Sequence, residues 1–128
     1  MDANEAVNAF AQALRRLQEA LGEPETAIVR DAAIKRFEFT FELAWKAIQR
    51  CLREEGLDCR SPKGCLREAF RQGLIPDDPR WIEMIDDRNL TAHTYDEETA
   101  KTIFKHLAGH SVRFEQLRKA LGNHRAGS

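Results

Sequence analysis

Near the start of the chain the apolar residues fall at Ala3, Val7, Phe10, Leu14, Leu17 and Leu21. This alternating spacing of four and three draws one stripe along a helix. Gly22 follows as a stop, and Pro24 falls in the first turn of the next element. A longer stretch, about Glu25 to Glu55, carries the stripe Ile34, Phe37, Phe41, Trp45 beside Ala44, Ile48 and Leu52, with Phe39 and Leu43 on a second face. A helix apolar on two faces calls for two neighbours, in the centre of a bundle or at a dimer contact. Gly56 ends it. Ser61-Pro62 reads as an N-cap followed by proline at the first helical position, opening a short helix to about Gln72 with Gly73 behind it. Asp78-Pro79 repeats the device and opens a fourth helix, from Pro79 to near Ala92. The fifth runs from about Tyr95 to Leu121, with Ile103, Leu107, His110, Phe114, Leu117 and Leu121 in its stripe and Gly122 closing it. No segment alternates with period two, and no internal repeat or low-complexity linker is found. The pattern predicts an all-α, up-down bundle of about five helices. The first, second and fifth form its body and the third and fourth a shorter arm.

With 128 residues, 42% of them hydrophobic, one domain spanning 1–128 with a single moderate core is expected. Charged residues make up 32% of the chain, yet the formal net charge is only −1. Any contact with nucleic acid must therefore rest on a local patch. The three cysteines, Cys51, Cys59 and Cys65, are odd in number and lack C-x-x-C spacing, so they are expected to be reduced thiols in a cytoplasmic protein. The acidic start, Met1 to Glu5, has no apolar signal core, and no run approaches the roughly 20 residues that span a bilayer.

The chemistry concentrates in Arg88-Asn89-Leu90-Thr91-Ala92-His93-Thr94-Tyr95. Thr94 through Glu97 reads as a capping box, so one helix ends within or just after this stretch and another begins there. Arg88 and His93 stand about 140° apart on an ideal helix. One unbroken helix therefore cannot aim both at one phosphate. Either the helix loosens before His93, or two copies of the motif meet across a two-fold dimer. Such a cleft suits phosphodiester chemistry. His93 is a general acid or base near neutrality, Arg88 offers a fork of donors to phosphate oxygens, and Asn89 orients the imidazole or holds an oxygen. This chemistry requires no metal or other cofactor. The motif supplies no carboxylate cage for an ion, although Asp86 and Asp87 lie close.

Other clusters read more blandly. Lys63, Arg67 and Arg71 form a basic stripe on the third helix, flanked by Arg60 and Arg80. It could track an RNA backbone or an acidic partner, or be a solvated face. Glu38 and Glu42 are one turn apart, and Glu42 with Lys46 makes an ordinary ion pair. His106 and His110 have helical ligand spacing, but no third ligand is apparent, so a metal site is not expected. Arg30 is either an interhelical ion-pair partner or a second arginine reaching the cleft. Phe37, Phe41 and Trp45 read as core or dimer contact rather than base-stacking platforms.

Arg-Asn-x-x-x-His-x-Tyr in an all-helical chain of this length resembles the Arg-x(4–6)-His motif of HEPN domains. It is closer still to the branch of nucleotidyltransferase substrate-binding proteins, to which the HepT toxins are related. The run Lys35 to Lys46 resembles that branch, as do Ser61-Pro62-Lys63 and the stretch Phe70 to Ile75. The resemblance implies a homodimeric bundle with two motifs facing one cleft, and a small nucleotidyltransferase as partner. In the toxin branch it implies metal-independent RNA cleavage by Arg88 and His93, with Asn89 auxiliary. Tyr95 would then accept the nucleotidyl group with which the partner silences the activity. The same family equally implies a non-catalytic subunit that presents a nucleotide or substrate to that partner.

Overall fold

A computed structural model describes residues 1–126; residues 127 and 128, the end of the expected domain, lie outside the described residues. The helices are α1 (Ala3–Leu21), α2 (Ala27–Arg53), α3 (Pro62–Arg71), α4 (Arg80–Leu90) and α5 (Glu97–Ala126), with a 3₁₀ turn at Thr91–His93 between the last two. Among the described residues there is no strand, as the pattern predicted.

Local chemistry explains most of the boundaries. Asp2 caps α1 by accepting from the Glu5 N–H at 2.8 Å. Thr26 caps α2 through Val29 N–H at 3.1 Å, so Pro24 lies before the helix and not in its first turn. Ser61 accepts from Gly64 N–H at 3.0 Å with Pro62 behind it, the arrangement its sequence announced. Gly56 and Gly73 stop α2 and α3 at φ 80° and 77°, a left-handed backbone that a side chain resists. Two expected ends move. α5 passes through Gly122 to Ala126 because its last turn is tethered: Arg125 donates to Asn4 Oδ1 at 2.8 Å and to Glu54 at 3.1 Å, and His124 meets Glu55 at 2.6 Å. The capping box fails as well. Thr94 donates back to the Thr91 carbonyl at 3.3 Å, and Asp96 caps α5 instead, accepting from Thr99 N–H at 3.3 Å and its hydroxyl at 2.7 Å. The 3₁₀ turn runs on through a turn over 94–96, closed by Asp96 N–H to the His93 carbonyl at 3.1 Å, so α5 starts at Glu97 and not at Tyr95.

α1, α2 and α5 make the body. Phe10 packs edge-on against Phe114 with ring centres 5.9 Å apart, and Phe37 lies 6.1 Å from the same ring. Phe10, Phe37, Phe114, Leu14, Leu17, Leu117 and Leu121 are fully buried, each worth roughly 1.5–3 kcal/mol of transfer free energy. α5 runs parallel to α2, as the pairs Arg30–Glu97 and Glu54–Arg125 show. It runs antiparallel to α1, as Asn4–Arg125 shows. α4 packs antiparallel along α5, with Trp81 at Phe114 and Asp87 at His106. Phe37 and Phe41 are core, as read, whereas Phe39 is 54% exposed on the second face of α2.

The expectation of three reduced thiols is corrected. Cys59 and Cys65 form a disulfide, their Cα atoms 5.1 Å apart, and Cys51 alone is free and buried. The Ser61-Pro62 turn folds Cys59 back onto the first turns of α3, a proximity that spacing rules for C-x-x-C do not register. Gln49 fixes the same loop by donating to the Cys59 carbonyl at 2.8 Å.

Candidate functional site

The buried stripe of α4 is Trp81, Met84 and Asp87, and Thr91 continues it into the 3₁₀ turn. Two of these four core positions are polar, and each holds something in place. Asp87, 4% exposed, sits with one carboxylate oxygen 2.6 Å from His110 Nε2 and 2.9 Å from His106 Nδ1. Burial pushes that carboxyl up, but the hydrogen bonds and charges of His110 and His106 outweigh it and hold it below the usual carboxylate range. The His110 ring in turn stacks on Phe37, centres 5.4 Å apart. The expectation that His106 and His110 lack a third donor is thereby corrected: it comes from α4, nineteen residues before His106.

Thr91 holds the arginine. Its hydroxyl donates to the Arg88 carbonyl at 2.6 Å and accepts from Arg88 Nη1 at 3.1 Å, which folds the guanidinium back over the helix end. Arg88 Nε is buried with no partner, an uncommon state for a donor. α4 ends at Leu90, so the motif does loosen before His93, one of the two solutions the sequence left open. His93 is exposed, its Nδ1 3.4 Å from the hydroxyl of Tyr95, with the rings edge-on at 5.9 Å. Tyr95 is 85% exposed, and Asn89 is also on the surface. The turn thus brings His93 and Tyr95 together, while no hydrogen bond joins Arg88 to His93 among the described residues.

Arg30 resolves as an ion-pair partner. It bridges Glu25 at 2.9 Å and, across helices, Glu97 at 3.6 Å, which ties the start of α2 to the start of α5 beside the motif. Lys63, Arg67 and Arg71 are all exposed on α3. Arg71 pairs with Glu68 at 3.2 Å, while Lys63 and Arg67 edge an apolar groove of about 210 Å³ between α3 and α4, lined by Phe70 and Ile82. Glu42 accepts from Trp45 Nε1 at 3.1 Å instead of pairing with Lys46, and Glu38 pairs with Lys35 at 3.7 Å. The residues that sequence reasoning missed are Asp87 and Thr91. Their signal was there: both are polar residues in the register of a buried stripe.

Comparison with known proteins agrees with this architecture. A family model described as nucleotidyltransferase substrate binding protein like matches residues 3–123. A Haemophilus influenzae protein described as a probable ribonuclease HepT is 37% identical over 108 residues, 74% of each chain. Among solved structures, one from Thermus thermophilus superposes with a TM-score of 0.82 at 46% identity, covering 88% of this chain and 98% of its own. A second, from Haemophilus influenzae, is described as revealing the fold of a substrate binding domain of a nucleotidyltransferase. It superposes at 0.79 with 28% identity, covering 90% of this chain and 98% of its own.

Proposed function

The chain belongs to the nucleotidyltransferase substrate-binding-protein-like family, and from that premise we propose that it is a HepT-like, metal-independent RNA endonuclease, the toxin half of a toxin–antitoxin pair. The observation that carries the reading is the junction itself: a solvent-open imidazole follows, within five residues, an arginine anchored by Thr91 and short of partners. On this reading His93 takes the proton of a ribose 2′-hydroxyl, whose oxygen attacks the adjacent phosphorus. Arg88 meets the charge that grows on the non-bridging oxygens, and Asn89 steadies the phosphate. The 5′-oxygen leaves with a proton, and a cyclic phosphate remains. The probable ribonuclease among its relatives supports this chemistry.

Two copies complete the site. A homodimer puts two motifs in one cleft, so that one His93 serves as base and the other as acid, and the exposed Phe39 face of α2 leaves apolar surface for self-association. Regulation falls to Tyr95. At 85% exposure, 3.4 Å from His93, it is within reach of a partner nucleotidyltransferase, and a nucleotidyl group there adds bulk and negative charge beside the imidazole. The basic edge of α3, Lys63 with Arg67 and Arg71, suits an RNA backbone or the partner's surface.

A second reading has its own support. The structural relative described as a substrate binding domain of a nucleotidyltransferase favours a non-catalytic subunit that presents a nucleotide or substrate at the same surface. One experiment separates them: purified protein without its partner, with and without chelator, is incubated with transfer RNA and a messenger beside His93→Ala. Cyclic-phosphate ends from wild type and none from the variant establish the nuclease. No cleavage by either folded protein makes the binding subunit the better account.

A further inference from the structure

We propose that Asp87, His106 and His110 are the protein ligands of one first-row divalent metal ion of the zinc class. The three donor atoms converge: Asp87 Oδ2, His106 Nδ1 and His110 Nε2 all lie within 4.8 Å of one another, on two helices that face each other. Two imidazoles and one carboxylate are a borderline nitrogen–oxygen set. It suits zinc, cobalt or nickel and does not suit magnesium or calcium, which take oxygen donors.

The support around these groups is that of a built site. His106 and His110 are one turn apart on α5, so a single helix face fixes their spacing. The Phe37 ring, 5.4 Å from that of His110, sets the orientation of the inner imidazole, and Asp87 is buried on the opposite helix. The outer imidazole is different. The His106 side chain is 49% exposed, which gives an ion a route in and leaves a position for water.

Hydrogen bonding alone accounts for half of this arrangement. A buried carboxylate needs a donor, and His110 at 2.6 Å supplies it. His106 has no such need, since water could satisfy its ring, yet it turns Nδ1 onto the same oxygen at 2.9 Å. To bind, each imidazole releases the proton it now shares with Asp87. With metal–donor bonds of about 2.0–2.1 Å, donors stand about 3.3 Å apart in tetrahedral geometry, so both imidazoles must back away from Asp87 while their own nitrogens, now within 4.8 Å, draw together. The first change is roughly half an ångström and the second is a turn of the half-exposed His106 ring.

The ion would cross-link the end of α4 to α5 one residue before Arg88. Its role is to hold the helix end that carries the motif, separate from any proton transfer at His93, so the site stands whichever reading of the function is right. The test uses untagged full-length protein stripped with chelator and titrated with zinc by calorimetry, then with cobalt by visible absorption. The expected result is one ion per chain at micromolar affinity or tighter, cobalt bands of a four- or five-coordinate site, and a raised melting temperature. His106→Ala, at a half-exposed position and so able to fold, should weaken binding at least a hundredfold, and Asp87→Asn should do the same. His124→Ala, which removes a histidine at the other end of α5, should leave it unchanged. Failure to bind zinc at tens of micromolar overturns the proposal. So does binding of equal strength by His106→Ala.

Discussion

One helix, α5, makes two seams that work by opposite physics. Toward α1 and α2 it presents Phe114, Leu117 and Leu121 to Phe10, Phe37, Leu14 and Leu17, all fully buried. Toward α4 and the turn before it, beyond the contact of Phe114 with Trp81, it presents His106, His110 and Arg113, which meet Asp87 and Asp78. The first seam is adhesive and undirected, since apolar burial rewards any side chain of fitting volume. The second is directional: each buried polar group must find its own partner or leave a desolvated charge behind. The difference teaches where each job is done. Stability of the bundle rests on the apolar seam, and placement of the motif rests on the polar one.

The largest effect should come from the motif alone. Arg88→Ala is expected to lower RNA cleavage by about two to three orders of magnitude with little change in melting temperature. Arg88→Lys should not restore it, because an ammonium lacks the fork of donors. Full cleavage by Arg88→Ala in a gel assay would remove the arginine from the chemistry. On the apolar seam, Phe37→Ala should cost about 3–5 kcal/mol by urea unfolding. Phe37 touches both Phe114 and His110, so this is the one substitution expected to loosen both seams at once. A loss below about 1 kcal/mol would mean that the core reading of this residue is wrong.

Smaller effects separate position from packing. Thr91→Val keeps the shape but removes the hydroxyl that holds Arg88, and should cost about 1 kcal/mol of stability and roughly tenfold in turnover, with KM near wild type. Thr91→Ser should recover most of both. If valine is neutral, the Arg88–Thr91 pair has no positional role. The smallest expected effect depends on pH. The backbone N–H of Arg80 and, against burial, the hydrogen bond and charge of Arg113 hold the Asp78 carboxyl below its usual range. A carboxylate depressed in the folded state stabilises above its unfolded value and loses that contribution as pH falls through the folded one. The difference in melting temperature between wild type and Asp78→Asn should therefore be full at pH 7 and shrink toward pH 3. A constant difference would assign the effect to contacts and not to charge.

Much of this was legible from the residues. The stripes on α1, α2 and α5 were read correctly because apolar burial has a period, and a period survives in one dimension. The Ser61-Pro62 start was read because a cap is a local device. What failed involved competition or distance. Thr94 was read as the cap of α5, but its hydroxyl turns back to the Thr91 carbonyl and Asp96 takes the place. The Cys59–Cys65 bridge depends on how a turn folds back, and Gly122 lost its role as a stop to ion pairs with residues more than sixty positions away. Asp87 was passed over as a neighbour of the motif, although its register with Trp81 and Met84 already pointed it toward the core; that it faces His110 is a fact of the fold. The site residues themselves came from a short motif and a resemblance, not from periodicity.

Tyr95 meets His93 at Nδ1 and leaves Nε2 open, and that choice of nitrogen couples the phenol to the tautomer of the ring. When the phenol accepts from Nδ1–H, the neutral ring leaves Nε2 unprotonated and able to take a proton; when it donates to Nδ1, the ring proton sits on Nε2, which then cannot serve as the base. A substituent on the phenol oxygen leaves an atom that only accepts. With Nε2 left as the basic nitrogen, it is the bulk and negative charge of a nucleotidyl group, not the tautomer, that would keep an RNA phosphate from His93. The hydroxyl of one exposed tyrosine is therefore coupled to where the neutral imidazole beside it carries its proton. Nitrogen chemical shifts of the His93 ring would report that proton's position directly, with Tyr95→Phe as the reference that lacks the phenol.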